Sequence, residues 1–214
     1  LVDTGAVNMD EMSDGLQDIA SRISGTNWND LPKALYQTIS AGIDAGDALQ
    51  VVETSAKSAV AGVTEVSVAV DGITTAINAW GREAEDAEEI SDAFFTAVRA
   101  GKTTFDELSN SIGRAAPLAA TTNTSLEELL AGVAALTTSG LKTEEAMTAM
   151  RGIFQKIIKP TQQAKDAANE LGIEFNQAAL ESQGLYGFLQ NISEAADGNT
   201  EILGRLFEDV EALN

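Results

Sequence analysis

Apolar positions recur at helical rather than alternating spacing along nearly the whole chain. Ala87, Ile90, Phe94 and Val98 form one stripe, and Leu126, Leu129, Leu130, Val133 and Leu136 form a second. Met147, Met150, Phe154, Ile157 and Ile158 form a third. Near the start, Met12, Leu16, Ile19, Ala20 and Ile23 keep the same period and predict a short amphipathic helix, broken by Gly25-Thr26-Asn27. A second helix opens with Asp30 as N-cap and Pro32 in its first turn, carries Ala34, Leu35, Thr38 and Ile39, and ends near Gly42. The stretch from Val63 to Val70 is β-branched and loosely alternating. It runs without a turn into Ile73, Ala76, Ile77 and Trp80, and so reads as helix.

One grammar repeats: a helix stops at glycine and restarts after an acidic or hydroxyl residue. The stops are Gly42/Gly46, Gly62, Gly81, Gly101 and Gly140. Thr104-Phe-Asp-Glu107 and Ser125-Leu-Glu-Glu128 have the capping-box form, and Thr143-Glu-Glu145 places acids at a helix N-terminus, where the dipole favours them. Three joints look alike: 41–47, 100–106 and 139–145. Their unequal spacing excludes a regular solenoid period. Short joints fold neighbouring helices antiparallel. The expected fold is all-α, an irregular stack of antiparallel αα-hairpins with glycine-capped joints. Residues 1–25 form a lead-in segment with a short helix, and residues 26–214 form one helical module. The chain begins at Leu1 and stops inside an amphipathic run, Glu208-Asp-Val-Glu-Ala-Leu213, and so reads as part of a longer polypeptide.

Composition narrows the chemistry. The 214 residues include no cysteine and no histidine. Disulfides, cysteine-based zinc sites, thiol nucleophiles and the usual general base are thereby excluded. Thirteen basic against 33 acidic residues give a net charge of −20, which opposes binding to nucleic acid or an anionic membrane. Only three prolines and 5% aromatics fit thin, closely packed helices. No run of about 18 uncharged apolar residues is present.

Gly101-Lys102-Thr103 matches the end of a phosphate-binding loop, but Thr96 stands where the first glycine belongs and the preceding element reads as helix, so a helix joint is expected. The acidic pairs Glu88-Glu89, Glu127-Glu128, Glu144-Glu145 and Glu208-Asp209 read as helix starts or solvated faces rather than as carboxylates across a sugar cleft. Asp197-Gly-Asn-Thr-Glu201 lacks the spacing of a calcium loop and reads as a turn starting the last helix. No cofactor and no metal are expected. Trp28, Trp80 and Tyr36 read as core or joint-packing residues. Arg151, Lys156, Lys159 and Lys165 depart from the acidic background, with Phe154, Ile157 and Ile158 interleaved. Two readings stand for this stretch. It is a partner site for an acidic surface such as another copy, or its cations complement a helix C-terminus that Pro160 marks.

Taken in order, these joints resemble the core module of bacteriophage tail tape measure proteins. The resemblance is carried by residues 34–42, 57–62 with 77–81, 101–108 and 113–120, then by 139–146, Arg151 through Pro160, and 171–173. It covers about residues 30–214; Leu206 to Leu213 fits where such a module continues. Within it, Gly101, Lys102, Thr103, Phe105, Pro117, Gly140, Arg151, Phe154, Lys156, Lys159 and Pro160 are the motif positions and candidate partner contacts. The resemblance implies a structural, non-enzymatic role. The tape measure sits in the tail lumen and tip of the virion, nucleates tail-tube assembly, sets tail length and leaves during DNA ejection, after assembly in the host cytoplasm. It implies a homo-oligomer, a trimer among the options, together with tail-tip or tail-tube proteins, and no nucleic-acid or membrane contact by this segment. No catalytic residue carries over. The alternatives from other classes are a peptidoglycan hydrolase module of a phage tail acting at entry, and a bacterial helical scaffold. A scaffold calls for sustained heptads, which the glycine joints interrupt.

Overall fold

The computed structural model describes residues 9–207, which form twelve α-helices and three single 3-10 turns, with no strand among the described residues. The helices are α1 (Met9–Arg22), α2 (Leu31–Ser40), α3 (Ala45–Gly62), α4 (Val66–Trp80), α5 (Ala87–Ala100) and α6 (Phe105–Ser111). They continue with α7 (Ala116–Thr121), α8 (Leu126–Thr138), α9 (Thr143–Ile158), α10 (Gln162–Leu171), α11 (Gln177–Ala196) and α12 (Thr200–Phe207). The all-α class expected from the spacing is what the chain adopts. It divides into two compact units: Leu1–Arg99 with Thr103–Gly113, and Ala100–Lys102 with Arg114–Asn214.

In the first unit α2, α3 and α4 pack against one another, α6 lies against α4, and α1 lies against α2 and α3. The chain bends by 120° between α3 and α4. Helix α3 buries Ala48, Val51, Val52, Ser55, Ala56 and Ala59, a stripe of small and β-branched side chains that lets neighbouring backbones come close. Phe105 of α6 is fully buried, its ring 5.2 Å from that of Phe94 and 4.9 Å from that of Phe95. In the second unit the predicted stripes of α8 (Leu126, Leu129, Leu130, Val133) and α9 (Met147, Met150, Phe154, Ile157) are buried except for their last members: Leu136 is half-buried and Ile158 exposed. Helices α7 and α11 pack on both of these, and α12 bridges α9, α10 and α11. Phe175 closes the far side, 5.8 Å from Phe188 and edge-on to Phe207 at 5.5 Å.

Both predicted capping boxes form. Thr104 Oγ1 accepts the Glu107 N–H at 3.1 Å while the Glu107 carboxylate accepts the Thr104 N–H at 3.0 Å. Ser125 and Glu128 repeat the exchange at 3.1 Å each way. Gly42, Gly81 and Gly140 take the positive φ expected of helix stops. Other joints differ from expectation. Gly46 lies in the first turn of α3. Gly62 is the last residue of α3, and Val63 takes the left-handed conformation at φ 53, with its side chain 91% exposed. A Cβ on Gly62 would lie 2.7 Å from the Phe105 Cβ, so close approach explains this glycine. Helix α4 accordingly starts at Val66, not Val63. Asp30 occupies the N-cap of α2 without a side-chain bond; Asn27 Oδ1 instead accepts the Asn29 N–H at 3.1 Å in the preceding 3-10 turn. Of the three aromatics expected in the core or packing the joints, Tyr36 and Trp28 are exposed, Tyr36 strongly so, and Trp80 is half-buried. Among the described residues no single helix is long and apolar enough to cross a membrane. The terminal run 208–213 lies outside the described residues.

Candidate functional site

The motif residues do not converge on one place. Gly101 and Lys102 belong to the second unit, Thr103 and Phe105 to the first. The Lys102 N–H donates to Thr137 Oγ1 at 3.1 Å, and the Thr104 N–H is taken by the Glu107 carboxylate. The element before Gly101 is helix α5. A phosphate loop needs free backbone N–H groups after a strand. Here the Lys102 and Thr104 N–H groups are committed, the latter to a carboxylate, and a helix precedes them, so the joint reading holds for this motif. Gly101 is a close-approach glycine rather than a left-handed stop: its Cβ would lie 2.8 Å from the Ala134 Cα and from Thr137 Oγ1. Pro117 is exposed in the first turn of α7, and Gly140, at φ 113, opens the joint after α8.

Of the interleaved aromatic and aliphatic residues in the cationic stretch, Phe154 and Ile157 are core residues, at 0% and 1% exposure, and only Ile158 emerges, at 38%. Phe154 therefore meets no partner from the surface. The turn of an α-helix, about 100° per residue, sets Arg151 and Lys156 roughly 140° apart on α9. Arg151, Lys159 and Lys165 are exposed, Lys156 is half-buried, and Pro160 follows the helix end. None of the four cations has an ion pair among the described residues, whereas Arg22, Lys57, Arg82, Arg114 and Arg205 each do.

Two polar constellations escaped the sequence reading. Arg22, in the last turn of α1, grips Glu53 of α3 with two bonds of 2.8 Å and also reaches Asp18 at 2.7 Å. Lys57 adds a 2.9 Å contact to the same Glu53 oxygen. Bonds from Arg22, then from Lys57, hold the Glu53 carboxyl down at about 2, and the Arg22 guanidinium is correspondingly pushed up. These residues line an open groove of about 390 Å³ with Ile19, Leu49 and Glu88. A carboxylate locked in this way has no proton to give and its lone pairs are occupied, so Glu53 does not suit acid catalysis or nucleophilic attack. The pairs Asp18/Arg22 and Glu53/Lys57 are legible at i,i+4. The bridge between α1 and α3 has no local signal.

The second constellation is Glu128. One of its oxygens takes the Ser125 N–H, while the other takes the Leu185 N–H at 2.9 Å. Helix α11 is broken at Gly184, where φ is 68 and ψ 166, a conformation that glycine alone adopts freely. A single carboxylate thus serves the first turn of α8 and the restart of α11 after the break. Both constellations tie helices together: the first joins α1 to α3, the second α8 to α11.

The chain is 28% identical over 114 residues to a protein named tape measure protein from Pneumococcus phage Dp-1, an alignment spanning 53% of this chain and 10% of that protein. The segment therefore corresponds to about a tenth of the length of that relative. No solved structure matches. The profile of the phage-related minor tail protein family matches residues 17–207, from within α1 to the end of α12, and the chain belongs to that family.

Proposed function

We propose that this segment is the helical core of a tape measure, a structural element of the virion tail. In this reading the protein lies in the tail lumen and at the tip, nucleates tube assembly there, fixes tail length, and leaves during DNA ejection. The family match across residues 17–207, together with likeness to a protein named tape measure protein, carries the proposal. The arrangement of the helices supports a folded station rather than the ruler itself. A straight 214-residue helix would span roughly 320 Å at about 1.5 Å per residue. Among the described residues the longest helix has 20 residues and is itself broken at Gly184. The measuring length is then supplied by other parts of the protein. The segment works without enzymatic chemistry, as a homo-oligomer, with a trimer one form of it, and docks on tail-tip or tail-tube proteins without touching nucleic acid or membrane.

The test is an in-frame deletion of residues 30–213 in the encoding gene, with particles imaged by electron microscopy. Missing tails or a broadened length distribution is the expected result. Tails of normal number and length that fail to infect would overturn the assembly role and favour an entry function such as peptidoglycan hydrolysis.

A further inference from the structure

Residues 146–165 carry four cations and no acid, in a chain of net charge −20. Arg151, Gln155 and Ile158 recur on α9 at i, i+4 and i+7, the spacing of one helix face; Lys159 follows directly as the residue that closes the helix, and all four are exposed. Ile158 is the apolar member, one of few large hydrophobic side chains left at the surface. The acid nearest along that face, Glu144, is taken by Arg114 at 3.0 Å. Neither Arg151 nor Lys159 has an acidic partner among the described residues. Cations near a helix C-terminus are favoured by the dipole, which accounts for Lys156 and Lys159. It does not account for Arg151, about two turns earlier, or for the exposed isoleucine between two cations.

The complementary surface is on the same chain. Residues 83–92 hold six acids and no cation. Glu85, in the 3-10 turn just before α5, and Glu88 and Asp92 of α5 follow at i, i+3 and i+7, all exposed and without a cationic partner among the described residues. At about 1.5 Å per residue the cationic stripe is roughly 12 Å long and the acidic one roughly 10 Å. We infer that the Arg151–Ile158–Lys159 face docks on the Glu85–Glu88–Asp92 face of a second copy. This rests on the self-association proposed above and specifies its surface.

Sedimentation velocity of the 214-residue chain at 0.15 M and 1 M NaCl tests this, with Arg151→Glu/Lys159→Glu and Glu85→Lys/Glu88→Lys as paired variants. All four positions are exposed, and far-UV circular dichroism checks that folding is unchanged. The expected result is a wild type that associates at 0.15 M and weakens at least tenfold at 1 M. Each variant alone is monomeric, and an equimolar mixture of the two associates again. A wild type that stays monomeric overturns self-association itself. A wild type that associates while the charge-reversed variants also do, or a mixture that stays monomeric, overturns this surface only. The same wild type is offered a 20-base-pair DNA duplex and vesicles containing phosphatidylglycerol. Binding to either that is lost in Arg151→Glu/Lys159→Glu would reassign the face to a polyanion and overturn the proposal.

Discussion

Replacing Gly101 by alanine tests whether this joint is held by close approach rather than by turn conformation. The new Cβ would sit 2.8 Å from the Ala134 Cα, 2.8 Å from Thr137 Oγ1 and 3.0 Å from the Ala134 Cβ. Neither neighbour has room to yield. Ala134 is 3% and Thr137 0% exposed, and Thr137 Oγ1 is already committed to the Lys102 N–H and the Ala134 carbonyl. Overpacking of this kind costs about 1–3 kcal/mol. Because Gly101 does not have a positive φ, alanine also recovers roughly 0.4–1 kcal/mol of unfolded-state entropy. The net expectation is a loss of about 1–2 kcal/mol, or a melting-point drop on the order of 5–15 °C for a unit of this size. Gly204, inside α12 with nothing within 4 Å of its would-be Cβ, is the control. Gly204→Ala should stabilise by up to about 1 kcal/mol through helix propensity. Urea denaturation of both variants beside the wild type reads the difference. A Gly101→Ala protein as stable as the wild type would refute the steric reasoning.

Phe154→Ala should cost about 3–5 kcal/mol and Ile158→Ala less than about 0.5, a contrast that denaturation midpoints read directly and that equal losses would contradict. The Glu53 carboxyl, held at about 2 against an ordinary 4.5, stabilises the fold fully above pH 4.5 and loses that contribution as pH falls toward 2; Glu53→Gln should flatten the acid limb of a stability–pH curve, and an unchanged limb would sever the Arg22–Glu53 link from stability. Glu128→Ala removes the acceptor for both the Ser125 and Leu185 N–H groups and should cost about 1–3 kcal/mol, with faster hydrogen exchange at Leu185 than in the wild type; unchanged protection there would mean that the carboxylate does not hold the restart of α11.

What was legible in the sequence was local. The Thr104–Glu107 and Ser125–Glu128 boxes span three residues each, and their partners could be named before any fold was known. The stripes of α8 and α9 were legible because a 3.6-residue period is a property of one helix. The reason for a glycine was legible only where backbone conformation demands it, as at Gly42, Gly81 and Gly140. At Gly62 and Gly101 it is a neighbour more than 30 residues away, Phe105 or Ala134, that leaves no space, and a sequence scan reads both as ordinary stops. The same limit hid the Arg22–Glu53 bridge, 31 residues apart, and the Glu128–Leu185 bond, 57 apart. Phe154 shows the converse error. Interleaving with cations suggested a contact surface, yet position within the helical turn buries it completely and leaves Ile158 outside.

The net charge of −20 constrains how such a segment can meet its own copies, and it predicts an unusual salt dependence. Two copies repel over their whole surfaces, while in the proposed contact the Arg151/Lys159 and Glu85/Glu88 stripes attract only where they touch. Mobile ions screen these terms differently: the Debye length is about 30 Å at 0.01 M salt, about 8 Å at 0.15 M and about 3 Å at 1 M. At 0.01 M the repulsion reaches across a whole unit and opposes approach. At 0.15 M it is cut to less than the roughly 10–12 Å length of a stripe, while charges in contact still interact. At 1 M the contacts themselves are weakened, leaving little besides Ile158. Association should therefore peak near physiological salt and fall on both sides. Sedimentation at five salt concentrations from 0.01 to 1 M reads the curve. A monotonic rise with salt would mean that apolar burial drives the contact, and a monotonic fall would mean that the overall repulsion is negligible; either shape would refute the balance argued from these two stripes.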